Sequence, residues 1–205
     1  MSLVIVHTEA GNIGSVANMC RWIGTDPIVS RDPEVIGQAT KLLLPGVGAF
    51  DPAMDYLNRT GLREALDRQF AAQVPILAIC LGMQLLLESS EEGELPGLGW
   101  IPGEVRHLRS GQDCELRVPH MGWSPIALTS AHPLFETADQ NSRYYFVHSY
   151  VACPAEDQYI VATAEHGQRF VAAIAIGNVT GVQFHPEKSH RYGKALMRRF
   201  IEAKA

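Results

Sequence analysis

Short apolar runs alternate with helically spaced apolar positions through the first half of the chain. Leu3 to Val6, Pro27 to Ser30 and Lys41 to Leu44 have strand length. Between the first two, Val16, Met19, Cys20 and Ile23 recur at helical spacing, and Gly24 supplies a stop. Asp32-Pro33 is a helix start, a capping side chain followed by proline at the first helical position. After Pro45-Gly46 come two helical stretches divided near Thr60-Gly61, then the apolar run Val74 to Cys80, then a further helical pattern. Alternation of this kind predicts an α/β fold with a mostly parallel central sheet flanked by helices.

The second half has a different texture. Pro96 to Gly103 reads as a loop. Glu104 to Arg109, Cys114 to Val118, Tyr144 to Ala152, Gln158 to Ala164, Phe170 to Ile176 and Val179 to Phe184 read as strands joined by short turns, an added antiparallel strand lobe. A helix from about His190 closes the chain. No repeat or linker divides it, so residues 1–205 are expected to form one domain.

Chemistry enters at Cys80. An apolar strand ends on it, Ala78 precedes it by two, Gly82 follows it by two, and a helical pattern begins at once. This is a strand–turn–helix nucleophile elbow with sulfur in place of oxygen. The free N–H groups and positive end of the following helix favour its thiolate. A lone cysteine is ordinarily a packed small hydrophobe; the elbow pattern is what changes that reading. A partner is available far along the chain. In an extended segment His185 and Glu187 project the same way, with Pro186 stiffening the link, so the carboxylate can orient the imidazole. The backbone N–H of Leu81 is one natural oxyanion donor. The loop Pro45-Gly46-Val47-Gly48-Ala49-Phe50 follows a buried strand and can supply another, although the fragment alone reads equally as a plain strand-to-helix turn. Gln84 lies one turn after Cys80 on the same helix face, where an amide can pair with an amide substrate or simply pack. Met83, Leu85, Leu86 and Leu87 read as core.

Composition narrows the classes. A net charge of -5 without a long basic run gives no electrostatic support to a nucleic-acid or anionic-membrane partner. The apolar start Met1 to Val6 is too short for a signal peptide, and the run around Cys80 is too short to span a bilayer. The four cysteines form no Cys-x-x-Cys pair, which fits free thiols in the cytoplasm. The eight histidines hold no metal-ligand spacing, so no metal and no cofactor is expected, and Cys114 and His120 read as bystanders.

Pro45-Gly46-Val47-Gly48-Ala49-Phe50, Cys80-Leu81-Gly82-Met83-Gln84 and His185-Pro186-Glu187 resemble the class I (triad) glutamine amidotransferases. Pro119 to Trp123, Tyr145 to Tyr150 and Gly181 to Ser189 are similar to the subfamily forming the glutaminase subunits of imidazole glycerol phosphate synthases. The resemblance runs nearly end to end. It implies hydrolysis of L-glutamine to glutamate and ammonia by Cys80, His185 and Glu187, with Val47 and Leu81 as oxyanion donors. It places Gly48, Gln84, His148, Ser149 and Tyr150 in the glutamine pocket. It implies a heterodimer with a (β/α)8-barrel cyclase/synthase subunit that uses the ammonia to make imidazole glycerol phosphate and aminoimidazole carboxamide ribotide in histidine biosynthesis. Asn12, Ser15, Met121, Trp123 and Lys188 match positions near that interface; Trp123 alone would also read as a core or loop aromatic. One departure stands out. The family often carries Asp-Tyr-Gly before its Gly-Asn, where this chain has His7-Thr8-Glu9-Ala10-Gly11-Asn12. That loop is expected to face the partner rather than the thiol, so the departure bears on partner identity. Paralogues that feed ammonia to enzymes of cell-surface nitrogen-sugar biosynthesis are the alternative, and a thiol hydrolase using the same elbow is another.

Overall fold

The computed structural model describes residues 2–8, 11–110 and 116–203. Its main sheet has nine strands. The parallel part is built from β1 (Leu3–Val6), β2 (Ile28–Ser30), β3 (Lys41–Gly46), β4 (Ile76–Cys80) and, from the far end of the chain, β12 (Val179–Val182). Helices α1 (Ile13–Ile23), α2 (Pro33–Gly37), α3 (Phe50–Arg59) and α4 (Leu62–Ala71) connect these strands, and α5 (Leu81–Gln84) follows β4. Helix α6 (His190–Glu202) closes the chain.

Side-chain alternation decides which face each residue covers. Leu43, Leu77 and Ile79 pack with α1 and α6 on one face. Leu42, Leu44, Ile76 and Ala78 pack with α2, α3 and α4 on the other. Strands buried on both faces read as continuous apolar runs, which is why they were visible in the sequence. Lys41 is an exception: only 1% exposed, it donates to the carbonyls of Phe200 at 2.8 Å and Ile201 at 2.6 Å. Its ammonium thereby satisfies carbonyls at the end of α6 that no helical N–H can reach.

The antiparallel strands extend the same sheet. Past β12 the order continues through β11 (Gln168–Ile176), β10 (Ile160–His166), β7 (His120–Leu128) and β8 (Arg143–His148). A second sheet joins β5 (Ser89–Ser90), β6 (Gly103–His107) and β9 (Tyr150–Pro154).

Three expectations change. Of the strand expected from Cys114 to Val118, Cys114 and Glu115 lie outside the described residues, and residues 116–118 are not strand. The strand is β7, hidden in the sequence by Gly122 and Pro125. Residues 120–125 pair with β8 and 126–128 with β10, so Pro125 sits where the strand changes partner and its missing N–H costs little. The strand expected from Tyr144 to Ala152 is broken at Ser149 into β8 and β9, which belong to different sheets. The helix after Cys80 is only four residues long. The carbonyls of Leu85, Leu86 and Leu87 are instead taken by N–H groups of the loop at Leu98, Trp100 and Gly99.

Candidate active site

Strand β4 delivers Cys80 at the sheet's carboxyl edge, and the chain must turn there immediately into α5. Cys80 therefore adopts φ 55° and ψ -112°, a left-handed backbone that costs a non-glycine residue about 1–3 kcal/mol. The turn is tight because β3 lies beside it, with Gly46 in register with Cys80. A Cβ on Gly82 would stand 2.0 Å from the Leu44 carbonyl oxygen, so only glycine fits. The positive φ also re-aims the thiol. Alternation alone would group it with Ala78, yet Cys80 packs with the opposite face. With only four residues, α5 brings no extended helix dipole to the sulfur.

The segment after β12 brings the base. His185 and Glu187 meet with Nδ1 and Oε1 2.8 Å apart, both side chains 2% exposed. They meet through a 3-10 turn at Pro186–Lys188 rather than along an extended strand. The turn is clamped from behind: Ser189 Oγ donates to the His185 carbonyl at 2.6 Å, and α6 lies so close that a Cβ on Gly193 would be 1.8 Å from the Pro186 oxygen. Nδ1–H thus donates to the carboxylate and Nε2 is left for the cleft. Burial pushes the His185 pKa down, but hydrogen bonding and negative charge from Cys80 and Glu187 outweigh it and raise the value to about 9. Nε2 itself is buried without a hydrogen bond of standard geometry, the state of a group that awaits a proton partner.

A cleft of about 320 Å³ lies over these groups. Val47, Gly48, Leu81, Gln84, His148, Ser149 and Tyr150 all line it, together with Cys80 and His185. Two of them are placed differently from expectation. Gln84 Nε2 is already committed, donating to Tyr150 O and Gln183 Oε1, both at 3.0 Å. The His148 ring is turned away and buried, with Nδ1 bonded to Tyr150 O at 2.9 Å and Nε2 to His120 Nδ1 at 3.1 Å. His120 is therefore no bystander. It is 3% exposed, bonded to Ser124 Oγ at 3.0 Å and stacked on His166. Glu92 also lines the cleft and was missed, because Glu91-Glu92 in sequence reads as a solvated acidic pair. Its carboxyl pKa is raised by burial, and its Oε2 accepts from Phe50 N at 2.9 Å.

The histidine pair gives the site a pH signature. Burial pushes His148 down to about 3 and His120 down to about 4. Both folded-state values lie below the unfolded value of about 6.5. Their contribution to stability is thus complete above pH 6.5 and is lost as pH falls toward 4, at about 1.4 kcal/mol per pH unit for each. His185 has the opposite sign: its contribution is complete below about pH 6.5 and is lost as pH rises through about 9. Urea midpoints should fall from pH 6.5 to 4, and His148→Gln should flatten that limb. An equally steep acid limb in the variant would contradict the assignment.

The residues expected at a partner face divide. Met121 is 63% exposed. Trp123 is half-buried and stacked on His190 with ring centroids 5.3 Å apart. Ser15 and Lys188 line a groove beside α1 with Trp22, an unpredicted exposed aromatic carrying the Lys194 ammonium 3.4 Å above its ring. Asn12 instead turns inward, its Nδ2 donating to Glu187 Oε1 at 3.3 Å, so part of the loop expected to face away from the thiol touches the base's own carboxylate. Burial raises the Cys20 pKa to about 12 and pushes Cys153 upward, while Cys114 lies outside the described residues. Among the described residues no cluster of metal-ligating side chains occurs, and no helix is long and apolar enough to cross a membrane.

Comparison with known proteins points the same way. The family model for class-I glutamine amidotransferases matches residues 16–203. The chain is 43% identical over 201 residues to imidazole glycerol phosphate synthase subunit HisH 2 of Methanococcus maripaludis, covering 98% of each protein. It is 44% identical over 200 residues to subunit HisH of Bdellovibrio bacteriovorus, covering 97% of this chain and 98% of that one. Among solved structures, a glutamine amidotransferase superposes with a TM-score of 0.75 at 17% identity, covering 97% of each chain. PurLQS from Thermotoga maritima superposes with a TM-score of 0.71 at 18% identity, covering 98% of this chain and 97% of that one. At such identities the structures speak for the fold alone.

Proposed function

Because this chain belongs to the class-I glutamine amidotransferase family, we propose that it is the glutaminase subunit of an imidazole glycerol phosphate synthase, releasing ammonia from L-glutamine in histidine biosynthesis. The observation that carries the reading is the meeting of Cys80, held at positive φ, with the His185–Glu187 pair in one cleft.

The Cys80 sulfur attacks the carboxamide carbon of glutamine, and the carbonyl oxygen takes the negative charge. Backbone N–H groups of Val47 and Leu81 receive that oxyanion. His185 gives its Nε2 proton to the departing nitrogen, ammonia leaves, and a glutamyl thioester remains on Cys80. His185 then takes a proton from water, which attacks the thioester and releases glutamate. Glu187 fixes the imidazole tautomer and stabilises its charged form. Glu92 offers a carboxylate for the substrate's ammonium group, and Gln84, with both amide hydrogens engaged, offers only its carbonyl.

The chain works as one glutaminase domain in the cytoplasm and delivers its ammonia to a (β/α)8-barrel synthase subunit. The names of its relatives, subunits of a synthase, support a partner. Met121 and Trp123 on β7, with Ser15 and Lys188 across the α1 groove, supply the docking face, and an exposed methionine beside a half-buried aromatic suits such a role.

Glu187→Gln tests the mechanism. The amide keeps the shape but removes the charge that holds His185 protonated. Turnover should fall on the order of 10²- to 10⁴-fold with KM little changed. The alkaline limb of the pH profile, set by His185 near 9, should move to lower pH. An unshifted limb with near wild-type turnover would remove Glu187 from the mechanism.

A further inference from the structure

Gln183 is buried to 0% exposure on the segment following β12, between core residues Val182 and Phe184. An apolar side chain would fill that place without the cost of desolvating an amide. The amide must therefore hold something, and its surroundings specify what.

The hydrogen bonds fix which way the amide points. Tyr150 O can only accept, and it already takes the His148 Nδ1 bond at 2.9 Å. Gln84 must present its NH2 there, at 3.0 Å, and its second hydrogen goes to Gln183 Oε1, also at 3.0 Å. With its carbonyl so occupied, Gln183 can only turn its NH2 toward Cys80, where Nε2 lies 3.6 Å from Sγ. The nucleophile thus sits at the end of an ordered polar chain, Cys80–Gln183–Gln84–Tyr150–His148. On another side the sulfur lies 3.9 Å from the Val147 carbonyl, an acceptor suited to the neutral S–H. The two partners serve opposite protonation states of the thiol. A neutral thiol is a weak acceptor, so an N–H donor placed against it matters chiefly once the sulfur carries charge.

We propose that Gln183 is a positioning residue of the active site, its amide donating to the Cys80 sulfur to favour and aim the thiolate while its carbonyl locks Gln84 into the cleft wall. This goes beyond the triad and rests on the reading of Cys80 as nucleophile. Gln183 transfers no proton and forms no bond with substrate. The titratable groups facing the sulfur are His185, with Glu187 behind it, and across the cleft Glu92 and Lys188; replacing Gln183 by an uncharged residue alters the charge of none of them.

The test is alkylation of Cys80 by iodoacetamide across pH, read peptide by peptide so that the other cysteines are separated, without glutamine or partner. Gln183→Met and Gln183→Leu keep the volume and remove the donor. In each folded variant, alkylation of Cys80 at pH 7 should slow about tenfold, its pH profile moving up by about one unit. Profiles coinciding with wild type in either folded variant would overturn the proposal. Should neither variant fold, the side-chain amide resonances of Gln183 in the otherwise wild-type chain serve instead. Cys80→Ala should shift them, and unchanged resonances would overturn the proposal. The two readings fail differently. If wild-type Cys80 reacts no faster than Cys153 near neutral pH, the nucleophile reading fails; if it reacts faster but is indifferent to Gln183, only the positioning role fails.

Discussion

Cys80→Ala should abolish glutamine hydrolysis, with a loss on the order of 10⁴-fold or more in glutamate release. Among the described residues no other cysteine lines the cleft. Cys20 is buried on the core side of α1 with its pKa raised to about 12, and Cys153 lies on β9, outside the residues lining the cleft. The fold should survive, because the thiol's contacts with Gln183 and Val147 are long, at 3.6 and 3.9 Å, and alanine tolerates the strained elbow as well as cysteine does. The expected stability change is within about 1 kcal/mol. The assay is glutamate release by the complex with its synthase partner, beside a thermal melt of the same sample. Turnover retained in a well-folded alanine variant would mean that the elbow is only an architectural bend.

The second large effect belongs to Gly82, which touches no substrate. Gly82→Ala sets a methyl 2.0 Å from the Leu44 oxygen and 3.1 Å from its carbonyl carbon. These are backbone atoms in a central strand, so no side chain can swing aside. Either β3 or the elbow must move by more than 1 Å. Overpacking of this severity costs about 3 kcal/mol or more. The displacement also propagates to function, since β3 runs directly into the Val47 loop. A misplacement of about 1 Å between nucleophile and oxyanion donors costs on the order of 10²-fold in rate. Both losses are therefore expected together, the first as a lowered urea midpoint and the second as reduced turnover of the folded fraction. A variant with a wild-type midpoint and wild-type turnover would contradict the close packing of β3 against the elbow.

The parallel half of the sheet was legible because burial on both faces makes β1, β3 and β4 unbroken apolar runs ending in recognisable turns. Cys80 was legible through its glycine spacing, and His185 with Glu187 through their separation by two, although the 3-10 turn rather than strand alternation brings them together. The antiparallel half was harder. Strand β7 changes partner along its length, so its pattern follows two neighbours, and Pro125 marks the change rather than forbidding the strand. The break at Ser149 was hidden because residues on either side keep strand composition while belonging to different sheets. Interior polar groups were the least visible. His120 and Gln183 occupy positions where alternation predicts only a face, and their importance arises from hydrogen bonds to residues 28 and 103 positions away. Glu92 resembles its solvated neighbour until the fold turns one of the two inward.

The central claim is that the Cys80 sulfur, and no other group, bonds covalently to the side-chain carbon of glutamine. A chloroketone analogue of glutamine reports this without any partner: mass spectrometry of the digested protein locates the adduct, and added glutamine competes for the site. One adduct per chain is expected, on Cys80, formed more slowly as glutamine is raised and lost in Cys80→Ala. Labelling spread over Cys20 and Cys153, or labelling of Cys80 that glutamine does not slow, would contradict it.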